Sequence, residues 1–515
     1  MKKYVLMVLL VLFASLAEAS GRILFVPLDD RPVCLDYTVD AFKAAGWDIQ
    51  TPPRDLLASY NHKADPEKLF GWLESNVPGA SAVVLSSDSM IYGGLVASRT
   101  HNFSEKELVE RTTRLLQFKK QFAGIAVYVF TTVMRSPKAS SAPVEPAYYK
   151  QFGGQIFRLG ELADKSEVVG LTKREAKEML SLSKAIPATV LHDLYNRRSM
   201  NLAVTERLLT GTENGSFDYL LLGRDDTALY SDAHRDARKL EMINAQLLQR
   251  KVRFFAGADQ LGILLVNRAI NKDNSVVPIV HAFYTEGVGE NTIPAYEDET
   301  VRTNVRSQIL AAGAWPAPGI KYADLLMAVN TPFDGITVQS NDVSNSVTLK
   351  KEKQVFLKKV GEYIQEHKNV AIADIAYANG ADNALVQGLF HQRLAWSLAA
   401  YAGWNTAANT IGFALGQGLQ AVYLNPEEKK ELLLVRYLDD WAYQSNVREK
   451  VRKELVWPRQ WNDGAFGSGQ KLFLESSITE KMKSFIKPYI TSETISKWQF
   501  TLPWNRTFEI KIDKR

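Results

Sequence analysis

Short apolar runs alternate with longer amphipathic segments from Ile23 to about Ile270. Runs of this length bounded by turn-forming residues are typical of buried strands, whereas apolar residues at every third or fourth position are typical of helices. Such alternation favours a mostly parallel sheet. The predicted strands are 23–28, 48–51, 82–87, 125–132, 218–223 and 252–257, and the predicted helices are 37–46, 66–76, 104–121 and 230–250.

The rest of the chain divides into three further segments. Residues 136–216 have helical periodicity and no strand pattern, which predicts a helical insertion over the site. A second strand–helix series follows, and from about Asn425 the segments are charged and helical before an aromatic, strand-like terminus at 498–512. The predicted strands of the second series are 277–284, 324–329 and 369–375, and its predicted helices are 299–311, 350–366 and 383–399.

These elements predict an α/β fold built from large doubly wound sheets. About ten strands exceed the eight of a β/α barrel, so an elaborated barrel with peripheral strands is the alternative. The predicted divisions are an N-terminal α/β domain at 20–275, a second α/β part at 276–424 and a mixed helical and β extension at 425–515.

The first residues are typical of a secretory signal peptide. Lys2 and Lys3 precede an apolar stretch from Tyr4 to Leu16, and Ala17-Glu18-Ala19 fits a cleavage site. The apolar stretch is too short to span a bilayer comfortably. We therefore predict a signal peptide at 1–19, export to the periplasm or outside the cell, and no membrane span after cleavage.

The net charge and the cysteine content exclude some kinds of binding partner and some kinds of metal or covalent site. The net charge is only +5 over 515 residues, and the basic residues are scattered, so we expect no nucleic-acid partner. Cys34 is the only cysteine, which excludes disulfides within the chain and thiolate zinc sites. Cys34 could be a nucleophile, but the pattern favours a small buried residue.

Acidic residues follow several of the predicted strands. The segment Pro27-Leu-Asp-Asp-Arg-Pro32 places Asp29, Asp30 and Arg31 directly behind the first strand. Ligands bind beyond the carboxyl ends of parallel strands, so these residues are candidates for substrate binding. Ion pairing within a turn is the alternative role. The other strand-end acids with candidate binding roles are Asp88, Asp259 and Asp374.

Arg224-Asp225-Asp226 repeats this composition behind another apolar run. Paired carboxylates suit glycoside hydrolysis, in which one carboxyl group protonates the leaving oxygen and another acts as base or nucleophile. An adjacent pair also suits substrate-assisted hydrolysis of an N-acetylated sugar. We predict Asp225 and Asp226 as catalytic residues and Arg224 as a binding residue. A divalent metal held by clustered aspartates is the competing use.

Three polar segments supply further candidates for substrate binding. Tyr92 follows Asp88 and precedes two glycines. Residues 378–383 form a polar loop between a strand and a helix, and contain Asn379 and Asp382. Trp404 and Asn405 would suit a sugar, since they combine an apolar platform with an amide. Packing of helices through small residues is the alternative for this last segment.

Parallel strands place their carboxyl ends on a common edge, so Asp29, Asp88, Asp225 and Asp374 are expected to converge on one cleft. Crowded carboxylates in such a cleft should raise the pKa of at least one of them and supply a proton donor.

Neither Gly-x-Ser-x-Gly nor His-Glu-x-x-His occurs in the sequence. We expect no cofactor apart from the divalent metal of the competing interpretation.

Several of these motifs, taken together, resemble the bacterial family called domain of unknown function 4127. The resemblance covers nearly the whole chain after the signal peptide and implies no established activity. The motifs include Pro27-Leu-Asp-Asp-Arg-Pro32, Gly223-Arg-Asp-Asp226, Asn379-Gly-Ala-Asp382 and Leu502-Pro-Trp-Asn-Arg-Thr-Phe508.

The residues themselves favour an exported hydrolase that acts on a carbohydrate. A metal-dependent hydrolase of another bond is the first alternative, and a non-catalytic ligand-binding protein of the cell envelope is the second. In each case, the expected partner is a small molecule or a glycan.

Overall fold

The structure is a computed structural model that describes residues 21–140, 142–247 and 250–515. The predicted signal peptide lies outside the described residues. Strands and helices alternate along most of the described chain, and the strands form two large parallel sheets and two small two-stranded sheets.

The first sheet contains six parallel strands in the order β2-β1-β3-β4-β5-β6. Its interior strands β4 and β5 are buried on both faces, because helices cover both sides of a parallel sheet. The strands are β1 (Arg22–Val26), β2 (Ile49–Gln50), β3 (Ala80–Ser86), β4 (Ala126–Val133), β5 (Tyr219–Arg224) and β6 (Val252–Ala256).

The helices of the first part join these strands. Ser104 and Glu107 form a capping box at the start of α4. The predicted helical insertion consists of three helices, and its described residues contain no strand. The helices are α1 (Asp36–Ala44), α2 (Pro66–Asn76), α3 (Leu95–Thr100), α4 (Glu105–Gln121), then α5 (Tyr149–Val168), α6 (Lys173–Ala185) and α7 (Ala188–Glu213) of the insertion, and α8 (Asp232–Leu247).

The second large sheet contains five parallel strands in the order β13-β11-β9-β7-β8. Numbered by their appearance along the chain, its strands follow the order 2-1-3-4-5. The first sheet begins with the same order, which is that of a common doubly wound arrangement. The strands are β7 (Ile279–Tyr284), β8 (Trp315–Pro316), β9 (Leu325–Asn330), β11 (Val370–Asp374) and β13 (Ala400–Ala402), while β10 (Val338–Gln339) pairs with β12 (Tyr377–Ala378).

Two buried helices, α9 and α13, join the two sheets in one hydrophobic core. The helix α9 contacts β3, β4 and α13, and α13 contacts β11 and β13. Every residue of α13 is buried, and Gly416 allows close contact because a Cβ there would lie 2.7 Å from Ile263. The first part ends with α9 (Leu261–Asp273), and the helices of the second part are α10 (Val301–Ala311), α11 (Lys351–Gln365), α12 (Asn383–His391) and α13 (Ala407–Gln420).

The C-terminal segment packs against the other face of the second sheet and forms a second core with it. It is helical up to residue 496 and ends in an antiparallel hairpin, so the strand-like terminus is two strands instead of one. The elements are α14 (Pro426–Arg436), a π-helix (Tyr437–Val447), α15 (Arg448–Val451), α16 (Ser468–Ile486), α17 (Ser492–Ser496), β14 (Trp498–Thr501) and β15 (Lys511–Lys514).

The doubly wound α/β prediction is confirmed. Neither large sheet closes on itself within the described residues, so the alternative of an elaborated barrel is wrong. Among the helices described, none has both the length and the apolar character needed to cross a bilayer.

The helix predicted at 383–399 ends early, at His391. Arg393 adopts a left-handed conformation with a φ of 59°. The amide of Leu394 then donates to the carbonyl of Leu389 at 2.8 Å, which is the Schellman pattern that terminates helices. Glycine usually occupies the left-handed position, so the sequence carries no stop signal here, and the strand β13 follows unpredicted.

Candidate active site

A cavity of about 350 Å³ lies where loops from the carboxyl ends of both large sheets meet the C-terminal segment. Ligands of doubly wound proteins bind at this edge. The first sheet supplies Arg31, Arg135 and Asp225, the second part of the chain supplies Asn379 and Asn405, and the C-terminal segment supplies Trp504.

In the loop after β1, Asp29 orients Arg31. The Nε atom of Arg31 donates to both carboxylate oxygens of Asp29, at 2.9 and 3.0 Å. Asp30 instead accepts a hydrogen bond from the indole nitrogen of Trp504 at 2.7 Å. Burial raises the pKa of Asp30 to about 6, although that hydrogen bond acts in the opposite direction. Arg31 lines the cavity, whereas Asp29 and Asp30 lie behind it.

The end of β5 places both predicted catalytic acids on the cavity wall. Asp226 has a φ of 36°, so the chain turns there and the side chains of Asp225 and Asp226 share one pocket. Adjacent residues of a regular strand would point to opposite faces. Arg224 does not line the cavity, because it turns away to pair with Asp298 at 2.8 Å.

Two arginines and a buried glutamate hold these acids. Arg99 donates to Asp225, and Arg135 donates to Asp226 at 2.5 Å. Glu145 joins the two arginines, at 2.7 Å from Arg135 and 3.5 Å from Arg99. Its side chain has no solvent exposure. The acids are therefore positioned by a network and not by flexible surface pairs.

The pKa of Asp226 is raised. Burial is the largest cause, and the charge of Asp225 adds to it, while Arg135 and Arg99 oppose it. A raised carboxyl pKa beside a second carboxylate is the pattern that separates a proton donor from an ionised partner.

Asp88 and Tyr92 lie behind the cavity wall. Asp88 is 1% exposed, and it accepts hydrogen bonds from the amide and hydroxyl of Thr132 at 3.0 and 2.9 Å. Burial raises the pKa of Asp88 to about 6, against the effect of these hydrogen bonds. Tyr92 stacks on His101 with ring centroids 5.0 Å apart. Both side chains hold the loop after β3, which leads into α3 and Arg99.

Asp259 joins the two halves of the cavity. Its Oδ1 accepts from Arg31 at 2.8 Å, and its Oδ2 accepts from Asn405 at 3.4 Å. The backbone amide of Asp259 donates to the side chain of Asn409 at 3.2 Å. Burial raises the pKa of Asp259, while the charge of Arg31 opposes this.

The second half of the cavity contains two residues in left-handed conformations. Tyr296 has a φ of 71° and Asn379 a φ of 60°, and both line the cavity. Such non-glycine conformations cost free energy and cluster at functional sites. Tyr296 is 41% exposed, so its ring is open to a ligand. The Oδ1 atom of Asn379 is buried without a hydrogen-bond partner among the described residues.

Trp404 is not on the cavity wall, so its predicted role as an apolar platform is wrong. It is 1% exposed and packs against Phe508, with ring centroids 5.4 Å apart. The cavity is lined by Trp504, Phe508 and Tyr296 instead. Burial of Trp404 within the common core explains the difference, since the sequence cannot distinguish two tryptophans in polar surroundings.

Asp374 and Asp382 belong to a separate polar cluster, so the expectation that Asp374 joins the other aspartates is wrong. Asp374 accepts from Asn330 and Tyr401 at 2.7 and 2.8 Å. Asp382 caps α12 and pairs with Lys353 at 2.7 Å. Burial, reinforced by Asp382, raises the pKa of Asp374 to about 6. The physical reason is that Asp374 is fully buried at the end of β11, and its neighbour Asp382 lines a different cavity of about 390 Å³.

Glu297 is a buried acid beside the cavity that sequence reasoning missed. It follows Tyr296, is 3% exposed, and accepts a hydrogen bond from the amide of Ala408. Its Oε2 atom has no hydrogen-bond partner among the described residues. Burial raises the pKa of Glu297 to about 8. The carboxyl group is therefore largely protonated at neutral pH.

Other site residues were also missed, for identifiable reasons. Arg135 lies just beyond the end of β4, so the strand-end rule that was applied to acids would have found it. Trp504 and Arg506 belong to a C-terminal motif that is part of the family resemblance, which was a usable signal. The sequence contains no signal for Arg99 and Glu145, because only folding brings these residues close to Asp225 and Asp226.

The described residues contain no group of three or more His, Cys, Asp or Glu side chains that could hold a metal ion. The single thiol, Cys34, is buried and accepts a hydrogen bond from Arg31 at 3.3 Å. Burial raises the pKa of Cys34 well above its usual value, against the effect of Arg31. The thiol is therefore kept protonated, which is unfavourable for a nucleophile.

Comparison with known proteins identifies a family but no activity. No curated protein matches the chain. One family, described as "Protein of unknown function (DUF4127)", matches residues 23–513, which include all the cavity residues named above. The chain belongs to this family of proteins of unknown function.

Proposed function

We propose that this protein is a hydrolase that cleaves a glycosidic bond in a carbohydrate. The observation that carries the proposal is the arrangement of Asp225 and Asp226. They are adjacent, both line one cavity, and each is held by its own arginine. Most glycosidases use two carboxyl groups at one site as their catalytic groups.

The surroundings of the two acids suit different roles. Asp226, whose pKa is raised by burial, protonates the leaving oxygen as the bond to the anomeric carbon breaks. Asp225 is oriented through one oxygen by Arg99 and stabilises the positive charge that develops on the sugar. Water then adds its hydroxyl to the anomeric carbon and returns a proton to the acid.

Amides and an open aromatic ring on the opposite wall support a sugar as the substrate. Asn379, Asn405 and Asn409 line the cavity, and Tyr296 presents an exposed ring beside them. Amides can donate to and accept from hydroxyl groups, and aromatic rings bind the apolar face of a sugar.

Single substitutions of the two acids test the proposal. Asp225→Asn and Asp226→Asn keep the size of each side chain and an acceptor for its arginine. We expect each to lower kcat/KM on a cleaved glycan by about 10²- to 10⁴-fold. Circular dichroism and thermal unfolding should show that both variants are folded.

Asp55→Asn is the matched control, because Asp55 is exposed and does not line the cavity. Its activity should equal that of the wild type. Near-wild-type activity in both active-site variants would remove the proposed roles of Asp225 and Asp226.

A metal-dependent hydrolase has less support. Asp225, Asp226 and Asp259 each accept a hydrogen bond from an arginine. A divalent ion would have to displace these guanidinium groups or share the carboxylates with them. Exhaustive chelation distinguishes the two mechanisms: loss of activity that returns with an added divalent metal would favour the metal-dependent reaction.

A non-catalytic ligand-binding protein is the second candidate, and the position of the cavity favours it. The cavity lies between the carboxyl edges of two sheets of similar strand order, as a two-lobed binding site would. Tight binding of a glycan that is recovered unchanged would favour this candidate over both enzymes.

Export is part of the same proposal. We expect the mature chain to begin at Ser20 and to be found in the periplasm or the medium. Mass spectrometry of the N-terminal peptide tests this directly. A chain that retains Met1 in the cytoplasmic fraction would contradict it.

A further inference from the structure

The cavity walls carry more arginines than carboxylates. Four arginines line it, against three aspartates, Asp225, Asp226 and Asp259. Burial raises the pKa values of Asp226 and Asp259, although the neighbouring arginines oppose the shift. The arginines are Arg31, Arg99, Arg135 and Arg506.

The remaining acids of the network lie behind the arginines. Asp29 and Glu145 are each 1% exposed, Glu509 is 2% exposed, and none of the three lines the cavity. They fix the guanidinium groups in place while the guanidinium groups face the open space. This arrangement presents guanidinium N–H donors, rather than the acids behind them, to a ligand.

The arginines retain hydrogen-bond donors. Arg99 is 4% exposed, and its Nε atom is buried without a partner among the described residues. Arg506 uses Nε and Nη2 in a two-pronged pair with Glu509. Arg31 uses Nε and Nη2 for Asp29 and Asp259. A guanidinium has five N–H donors, so each group can bind a further acceptor.

Arg31 and Arg506 both pack against the ring of Trp504, and all three residues line the cavity. Their guanidinium carbons are 5.3 and 5.0 Å from the centre of the Trp504 ring. Arg99 and Arg135 donate to the two catalytic acids, whereas Arg31 and Arg506 do not. Arg31 and Arg506 bind their own carboxylates through Nε and Nη2, so the Nη1 donors of this second pair are the ones available to a substrate.

We propose that the substrate is an acidic glycan whose anionic group, a carboxylate, sulfate or phosphate, is bound by Arg31 and Arg506. This inference rests on the proposed glycoside hydrolysis and specifies its substrate class. Planar guanidinium groups match the geometry of these oxyanions and bind them through two parallel hydrogen bonds.

Paired substrates test this inference without any variant. The probes are an oligosaccharide of hexuronic acids with its carboxyl-reduced form, a sulfated oligosaccharide with its desulfated form, and a phosphorylated oligosaccharide with its dephosphorylated form. For one of the three pairs, we expect kcat/KM to be about 10- to 100-fold higher for the anionic member. The pair that shows the preference identifies the anion. Screening should reduce this preference when the salt concentration rises from about 0.05 M to 0.5 M.

Arg506→Gln should bring the ratio of anionic to neutral kcat/KM towards one, and Arg506→Lys should recover part of it. Arg459→Gln is the control, because Arg459 is exposed and does not line the cavity. If Arg506→Gln does not fold, which thermal unfolding would reveal, the salt dependence of the wild type decides.

The two proposals fail in different ways. Hydrolysis of glycans with equal kcat/KM for both members of every pair would overturn anion recognition and leave the hydrolase intact. Binding of an anionic oligosaccharide without cleavage, weakened in Arg506→Gln, would overturn the hydrolase and support anion recognition.

Discussion

The indole nitrogen of Trp504 donates a hydrogen bond to Oδ1 of Asp30, a residue 474 positions earlier in the chain, at 2.7 Å. This bond joins the loop after the first strand to the C-terminal segment. Trp504 lines the cavity, and Asp30 lies directly behind the wall. The site is therefore complete only when the last part of the chain has folded onto the first.

Removing this donor should destabilise the protein. Trp504→Phe keeps an aromatic ring but leaves the partly buried Asp30 without the indole N–H. We expect the free energy of unfolding to fall by about 0.5–1.5 kcal/mol, the net contribution of one such hydrogen bond. Denaturant titration measures it. Trp457→Phe, at a tryptophan that is 46% exposed, should change little. Equal stability of both variants would show that the bond contributes nothing.

The pH dependence of the reaction should report the proton on Asp226. Its pKa is raised, and the acid role requires the protonated form. Activity should fall as the pH rises through that pKa, which gives kcat/KM an alkaline limb. In Asp226→Asn, the limb should disappear from the residual activity. A limb that persists unchanged would assign the proton to another group.

Glu297 should make stability depend on pH. Its pKa is raised to about 8 from an ordinary value of 4.5, so the folded state binds more protons than the unfolded state between these values. The stability of the wild type should then fall as the pH rises from 4.5 to about 8, by at most about 1.4 kcal/mol per pH unit.

Glu297→Gln keeps an acceptor for the amide of Ala408 and cannot ionise. The difference in unfolding free energy between this variant and the wild type should move in favour of the variant over the same pH range. Denaturant titrations at several pH values measure the difference. A difference that is independent of pH would mean that Glu297 has an ordinary pKa in the folded protein.

The cluster around Asp374 should affect folding and not turnover. Lys353→Met leaves Asp382 buried without its ionic partner. We expect a loss of about 3–5 kcal/mol in the free energy of unfolding, as for other broken buried pairs. Lys351→Met, at an exposed lysine of the same helix, is the matched control. At temperatures where Lys353→Met is folded, kcat/KM should be unchanged, whereas a large change would connect the two clusters functionally.

The fold was predictable because its signals are local. Apolar runs such as Val83–Leu85 and capping boxes such as Ser104 with Glu107 depend on neighbouring residues only. The rule that ligands bind beyond the carboxyl ends of parallel strands also identified Arg31, Asp225 and Asp259, which line the cavity. The end of α12 was missed because Arg393 adopts a conformation that usually requires glycine.

The remainder of the site depends on contacts between distant residues. Glu145 reaches Arg99 and Arg135 from a loop that precedes the first helix of the insertion, and no sequence pattern relates the three. Asp374 resembles the other strand-end acids in sequence, yet it belongs to a different sheet. The sequence reveals neither how strands are divided between two sheets nor which side chains reach the cavity. Of the four aspartates expected to converge, only Asp225 lines the cavity, Asp29 and Asp88 lie behind its wall, and Asp374 lies elsewhere.

The most direct test is to analyse the products of purified mature protein incubated with acidic cell-envelope glycans in water enriched in ¹⁸O. Products are reduced with borohydride at once and examined by mass spectrometry. We predict shorter glycans that carry one ¹⁸O at each new reducing end, formed by the wild type and largely absent with Asp225→Asn and Asp226→Asn. Intact glycans with the wild type, or equal cleavage by all three proteins, would contradict glycoside hydrolysis by this pair of aspartates.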